Sequence, residues 1–244
     1  MGQPKWRSLL LGAGLLGSSA DAQVLHVVSA SSEIYNLAAL QCFPPVEIHR
    51  VSPASFTTFA DSALEGFYSC DPLSSVSTDV QQITKILSDS IYIHERVYAD
   101  LAGGRSQAAL TKSDASIVFR LDAGRRFTYA LHGTVLSENP GGGTAISSVS
   151  LTRLGPGGGV VQSYRVQSGP GPPTWQRAGF EPRGNLEPGD YALEAHTSAA
   201  ADHVSPGSPP QGRTDGELWM RLKLRDVTTD VAPSNWGFVK TLYR

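Results

Sequence analysis

Several residue groups in this chain have types and spacings that could do chemistry. His94-Glu95-Arg96-Val97-Tyr98 opens like H-E-x-x-H, in which two imidazoles on one helix face hold Zn2+ and the glutamate acts as general base. Position 98 is tyrosine, so a single imidazole would reach a metal, and plain polar strand residues account for the segment. The histidines at 26, 49, 94, 132, 196 and 203 have no ligand spacing, and neither a C-x-x-C nor a D-x-D-x-D-G calcium loop occurs. A G-x-S-x-G elbow for a hydrolase serine is also missing. Asp190 and Glu194 could form a carboxylate pair for glycoside hydrolysis, because such pairs are defined by separation in space. A turn residue and an outward strand residue would explain them equally well. No catalytic residue, metal ligand or cofactor is therefore assigned.

Exposed aromatics are the remaining chemical handle. Planar side chains can stack on sugar rings at little entropic cost. Trp175 and Trp236 lie in loop-rich stretches, and Trp219 falls on the polar face of its strand. These three are the candidate ligand-binding residues, with an extracellular or cell-surface glycan as the partner. The competing reading has Trp219 covered by another element and Trp175 plugging the end of the fold.

The N-terminus points to export. Lys5 and Arg7 make a positive start, Ser8 to Ser19 is an apolar and small-residue run, and Ala20-Asp21-Ala22 fits the small-x-small rule for cleavage before Gln23. The apolar run is shorter than the roughly 20 residues a bilayer requires, so a stable membrane span is not expected. Gly12-Ala13-Gly14-Leu15-Leu16-Gly17 also spells G-x-G-x-x-G. A dinucleotide loop would need an amphipathic helix next, and Gly17-Ser18-Ser19-Ala20-Asp21-Ala22-Gln23 has neither the length nor the period. The expected organisation is a leader at 1–22, one domain at 23–226 and an extension at 227–244, in a secreted or periplasmic protein. In an oxidising compartment the two cysteines, Cys42 and Cys70, are expected to be bonded, the alternative being two buried thiols.

The elements that must position these residues are strands. Only 17% of the 244 residues are charged, while 25 glycines and 16 prolines punctuate the chain, which disfavours helical bundles. Lys and Arg number 20 against 22 Asp and Glu, so the net charge of −2 gives no global footprint for nucleic acid. Ile117, Phe119 and Leu121 alternate with polar neighbours, as do Phe127, Tyr129 and Leu131 before Gly133. Tyr191, Leu193 and Ala195 face opposite Glu194 and His196, and Leu218, Met220, Leu222 and Leu224 alternate with Trp219, Arg221 and Lys223. Turn clusters separate them, among them Pro140 to Gly143, Gly155 to Gly159 and Glu187-Pro188-Gly189-Asp190, the last fitting a type II turn with Gly189 at positive φ. Further strands are expected at Val24 to Ser29, Val46 to Val51, Ser55 to Phe59, Val80 to Leu87 and Ile91 to Val97; Val80, Ile83 and Leu87 also fit a helical period.

Four segments carry a resemblance to a known family: Ala115-Ser116-Ile117-Val118-Phe119-Arg120-Leu121, then Phe127-Thr128-Tyr129-Ala130-Leu131-His132-Gly133, then Val149-Ser150-Leu151, and finally Gly184-Asn185-Leu186-Glu187-Pro188-Gly189-Asp190-Tyr191-Ala192-Leu193-Glu194-Ala195. Over roughly Asp79 to Asp226 this order resembles exported bacterial β-sandwich proteins often found with a PEP-CTERM sorting tail. The resemblance implies an all-β, antiparallel jelly-roll-like β-sandwich outside the cytoplasm. The tail itself is not matched, since Asn235 to Arg244 has no Pro-Glu-Pro motif, long apolar helix or basic run. The functional expectation is a secreted, non-catalytic sandwich of structural or glycan-binding type; the alternative is an extracytoplasmic hydrolase with a carboxylate site invisible as a motif.

Overall fold

Alternation of apolar and polar residues sustained over 10 to 16 positions makes long strands, and most strands of the computed structural model are of this length. It describes residues 24–40, 42–53, 56–71, 74–102, 106–141, 143–169, 174–202 and 211–227. The expected leader and residues 228–244, including Trp236, lie outside the described residues. In chain order the strands are β1 (His26–Leu40), β2 (Phe43–Val51), β3 (Thr58–Asp71), β4 (Ser74–Ile86), β5 (Ser90–Ala102), β6 (Ser106–Leu121), β7 (Phe127–Gly141), β8 (Gly143–Arg153), β9 (Gly159–Ser168), β10 (Thr174–Phe180), β11 (Arg183–Leu186), β12 (Gly189–Asp202) and β13 (Gln211–Asp226). No described residue is helical. The Val80 to Leu87 ambiguity resolves as strand: Val80 faces inward within β4, and Ile83 lies on the opposite face.

Two antiparallel sheets pack face to face. One has six strands in the order β2-β1-β6-β12-β8-β9; the other has seven, in the order β10-β7-β13-β5-β4-β3 with β11 also on β7. This is the expected all-β sandwich. β10 and β11 together form one interrupted edge strand, pairing with residues 133–139 and 127–130 of β7 on either side of Glu181-Pro182. Proline donates no ladder hydrogen bond, so the break falls where an edge tolerates it. β7 runs on past Gly133 to Gly141. It continues because Gly133 supplies the space that the β13 main chain and the Phe180 ring occupy, where a Cβ would collide with the Trp219 carbonyl.

The entry to β12 is fixed locally. Gly189 has φ +144°, so the positive φ read from the sequence is present, although larger than the roughly +80° of a type II turn. Two residues on, Tyr191 is buried, stacks on Phe119 at 5.7 Å between ring centroids, and donates its hydroxyl to the Glu187 carbonyl at 2.8 Å. The side chain thereby clamps the corner over which the chain passes from one sheet to the other. Leu193 and Ala195 follow it inward, as the alternation predicts.

The interior is in two parts. Around Ile91, Ile117, Phe119, Phe127, Leu131, Tyr191 and Leu222 lies a large aromatic and aliphatic core. A second cluster contains Ile34, Val80, Val97, Leu101 and seven alanines. Small side chains keep native packing density only if the sheets approach more closely there. Between the two runs a belt of buried polar residues, including Ser32, Gln82, Thr84, Glu95, Ser113 and Thr197.

Candidate functional site

The outer face of the seven-stranded sheet gathers the aromatics. Trp219 on β13 pairs directly with His94 on β5 and Thr134 on β7. Its diagonal neighbours are large rings: His132 lies edge-on at 5.1 Å and Tyr92 at 6.2 Å between centroids. The three form a row across β7, β13 and β5, with His132 exposed and the other two half-buried. Trp219 is therefore flanked within its own sheet and remains partly open. Trp175 does not plug an end. It is 61% exposed on the edge strand β10, opposite Glu138, which in turn pairs with Asp215. Counting strands and residues, it sits about 16 Å from Trp219 on the same face. The fold thus brings two of the three candidate tryptophans onto one surface, and Trp236 lies outside the described residues.

Charge divides this surface into two halves. Beyond Trp219 in one direction come Glu217, Asp215, Glu138, Asp100 and Asp79, interspersed with Arg96, Arg177 and Arg213. Glu217 Oε1 lies 3.0 Å from His94 Nε2, so the His94 of the H-E-x-x segment is a surface residue hydrogen-bonded to a carboxylate on the neighbouring strand. Arg213 stands over the Tyr98 ring at 5.2 Å; burial, with the Asp100 carboxylate next, pushes the Tyr98 phenol up to about 12. In the other direction the outward residues of β13 are Arg221, Lys223 and Arg225, all exposed.

Glu95 has the opposite fate to His94. It points inward, has no solvent exposure, and takes hydrogen bonds from Thr197 Oγ1 at 2.9 Å and Gln82 Nε2 at 3.3 Å. Two neutral donors do not replace the hydration of a charge. Burial therefore holds the carboxyl well above the usual range, and the nearby Asp114 carboxylate adds to the shift. Gln82 Oε1 finds no donor. Sequence reasoning missed this residue. The signal was its parity, because Glu95 shares a register with Ile91, Ile93, Val97 and Ala99, all fully buried.

The carboxylates read as a possible hydrolytic pair do not assemble. Asp190 and Glu194 share the outward face of β12 but stand about 13 Å apart along the strand, beyond the 5 to 10 Å such chemistry uses. Asp190 accepts two hydrogen bonds from Arg120 at 2.7 and 3.0 Å, and that pairing lowers its carboxyl. Glu194 accepts from Ser150 at 3.3 Å. His196 Nδ1 lies 2.6 Å from Asp114, and Glu33 pairs with His49 at 2.8 Å on the same outer face. Among the described residues no group of three or more His, Cys, Asp or Glu could hold a metal ion.

Fold and surface together define an antiparallel β-sandwich with an aromatic row, basic on one flank, on the outside of its larger sheet. No family model matches the chain. No curated protein matches it either. Among solved structures it is similar to two entitled "Structure of infectious bursal disease virus", of the Gt and Gx strains, at 8% identity and TM-scores of 0.20 and 0.19. The match covers 84% of this chain, which spans 62% of the length of each of those. At that TM-score the likeness carries no argument.

Proposed function

We propose that this protein is an exported, non-catalytic β-sandwich that binds glycans through the outer face of its seven-stranded sheet. The observation that carries this reading is the row His132–Trp219–Tyr92, three rings held against each other on the outer face of the seven-stranded sheet. Ordered rings lose little freedom on meeting a ligand and offer a sugar their apolar faces. The hydrolytic alternative has less support, since Asp190 and Glu194 are separated and ion-paired or hydrogen-bonded, and Glu95 is closed off between the sheets. Binding to an immobilised glycan array is the test. The wild type should bind a defined set of glycans without releasing reducing ends, and Trp219→Ala should lower that binding by about tenfold or more. Failure to bind any glycan, or turnover of a bound one, refutes the reading.

Export carries the expectation of a bridge between Cys42 and Cys70, and the register supports it. Asn36 Nδ2 of β1 donates to the Ala63 carbonyl of β3, 27 residues on, and Arg50, opposite Ile34, binds Asp61. β1 and β3 therefore run alongside each other across the sandwich at a nearly constant offset. Cys70 follows Cys42 by 28 residues, which brings both to the same end of the edge strands. Closing such a loop stabilises the fold by about 3 to 4 kcal/mol in the chain-entropy account.

A further inference from the structure

We propose that the chain's own C-terminal segment closes an apolar hollow at one end of the sandwich, with the Trp236 and Phe238 rings packed against Val27, Val28 and Leu87. The proposal is independent of the glycan-binding reading and makes Trp236 an anchor of the fold.

The hollow measures about 450 Å³ and lies between the start of β1, the link from β2 to β3 and the turn from β4 to β5. Leu25, Phe56 and Ile86 make a buried floor, and Phe56 rests against Phe59 at 5.8 Å between ring centroids. The rim is apolar too. Val27, Val28 and Leu87 are 38%, 55% and 56% exposed, three of the eight large apolar side chains that stand open among the described residues. A β-bulge brings two of them together. The pairing of β1 with β6 passes from Val27–Phe119 to Ser29–Val118, so Val28 is the extra residue, and both valines border the hollow. Apolar side chains scattered singly need no explanation, but a cluster of them around a hollow marks a surface that something covers.

The chain itself supplies the cover. Leu224 donates its N–H to the Asp89 carbonyl at 2.8 Å, and Val227 donates to the Arg126 carbonyl at 2.9 Å. β13 therefore ends beside the β4–β5 turn, whose residues Ile86, Leu87 and Ser88 form one wall of the hollow. Residues 228–244 follow, and Val231, Trp236, Phe238, Val239, Leu242 and Tyr243 among them are large and apolar or aromatic. The stretch from Val227 to Trp236 can reach up to about 30 Å when extended, ample length to turn back over the end of the sandwich. Pro233, Ser234 and Asn235 suit that reversal, and an extended run after them presents Trp236 and Phe238 on one side. Aromatic rings bring a large apolar area with few torsions to fix, which is what closing an open hollow requires. The residues before Val24 enter at the same end, because Val24 and Leu25 both donate to the Ser88 carbonyl, and they are the rival cover.

Fluorine NMR of the full chain carrying 5-fluorotryptophan tests the proposal. The Trp236 resonance is identified by its loss in Trp236→Phe. In the wild type it should lie away from the position of free fluorotryptophan and show little solvent-isotope shift. Leu87→Arg, which sets a charge on the rim, should move it to the free position and restore the isotope shift. Val160→Arg, at an exposed valine of the edge strand β9, should leave it in place. Thermal melting checks that each variant is folded, and Val28→Thr serves if Leu87→Arg is not. A wild-type resonance at the free position overturns the proposal and leaves the residues before Val24 as the cover. A resonance that Leu87→Arg leaves unmoved in a folded protein overturns it as well. So does a shift that disappears on dilution as a dimer dissociates, since the hollow would then take the segment of a second copy.

Discussion

Replacing Glu95 by glutamine should make this protein more stable at neutral pH, and the gain should vanish in acid. The native carboxyl is held well above its usual value of 4.5, chiefly by burial. The folded state therefore keeps a proton that the unfolded chain releases above that pH. Where the native state binds more protons than the unfolded one, stability falls as pH rises, here from pH 4.5 up to the folded-state value. The slope is about 1.4 kcal/mol per pH unit for one proton. Glutamine has nearly the same shape, keeps an acceptor for Thr197 and has no charge to desolvate. Urea denaturation across pH 4 to 8, followed by tryptophan fluorescence, isolates the residue because every other titration is common to both curves. The curves should meet near pH 4.5 and diverge upward in favour of the variant. A constant gap, or a wild type that gains on the variant as pH rises, would mean that Glu95 is ionised in the fold and that the account of the belt is wrong. Glu95→Ala provides a control. It opens a cavity and removes the acceptor of Thr197 and Gln82, so it should lose about 2 to 4 kcal/mol even at pH 4.5.

Other outcomes follow from the corner before β12. Tyr191→Phe should lose about 1 kcal/mol with the bond to Glu187, and Tyr191→Ala about 3 kcal/mol or more, in chemical denaturation. Glu194→Ala, on the outer face, should change stability by less than about 0.5 kcal/mol; if it were the most damaging of the three, the register of β12 would be inverted. Gly189→Val should lose about 1 to 3 kcal/mol because a β-branched residue resists φ +144°, and a melting temperature equal to the wild type's would count against that strain. Intact mass of exported protein should match a chain beginning at Gln23, and non-reducing peptide mapping should recover Cys42 joined to Cys70. A retained leader or two alkylatable thiols would contradict the export reading.

What the sequence revealed was whatever alternation can encode. Tyr191, Leu193 and Ala195 turn inward and Glu194 and His196 outward, as their spacing requires. The turn clusters likewise mark strand ends: Gly155 to Gly159 links β8 to β9, and Glu187-Pro188-Gly189-Asp190 spans the entry to β12. Two features needed the third dimension. The aromatic row depends on the register that sets Arg221 opposite both Tyr92 and His132, a relation between strands far apart in the chain. Glu95 was obscured because its chemistry and its parity disagree: a carboxylate next to His94 and Arg96 reads as surface, and only the regular burial on either side of it says otherwise.

The belt around Glu95 has a consequence for how the longer strands find their partners. A slip of one residue turns a strand inside out and is heavily penalised. A slip of two leaves every apolar side chain facing inward, and in strands of 13 to 16 residues filled with alanine, valine and isoleucine little else would oppose it. The belt breaks that degeneracy. Shifting β5 by two residues would carry Glu95 away from Thr197 and Gln82 into one core or the other, leaving a buried carboxyl with no partner and two orphaned polar groups opposite. A single acidic residue in an unfavourable place can thus act as an alignment mark between the sheets, as a lone buried asparagine does in a coiled coil.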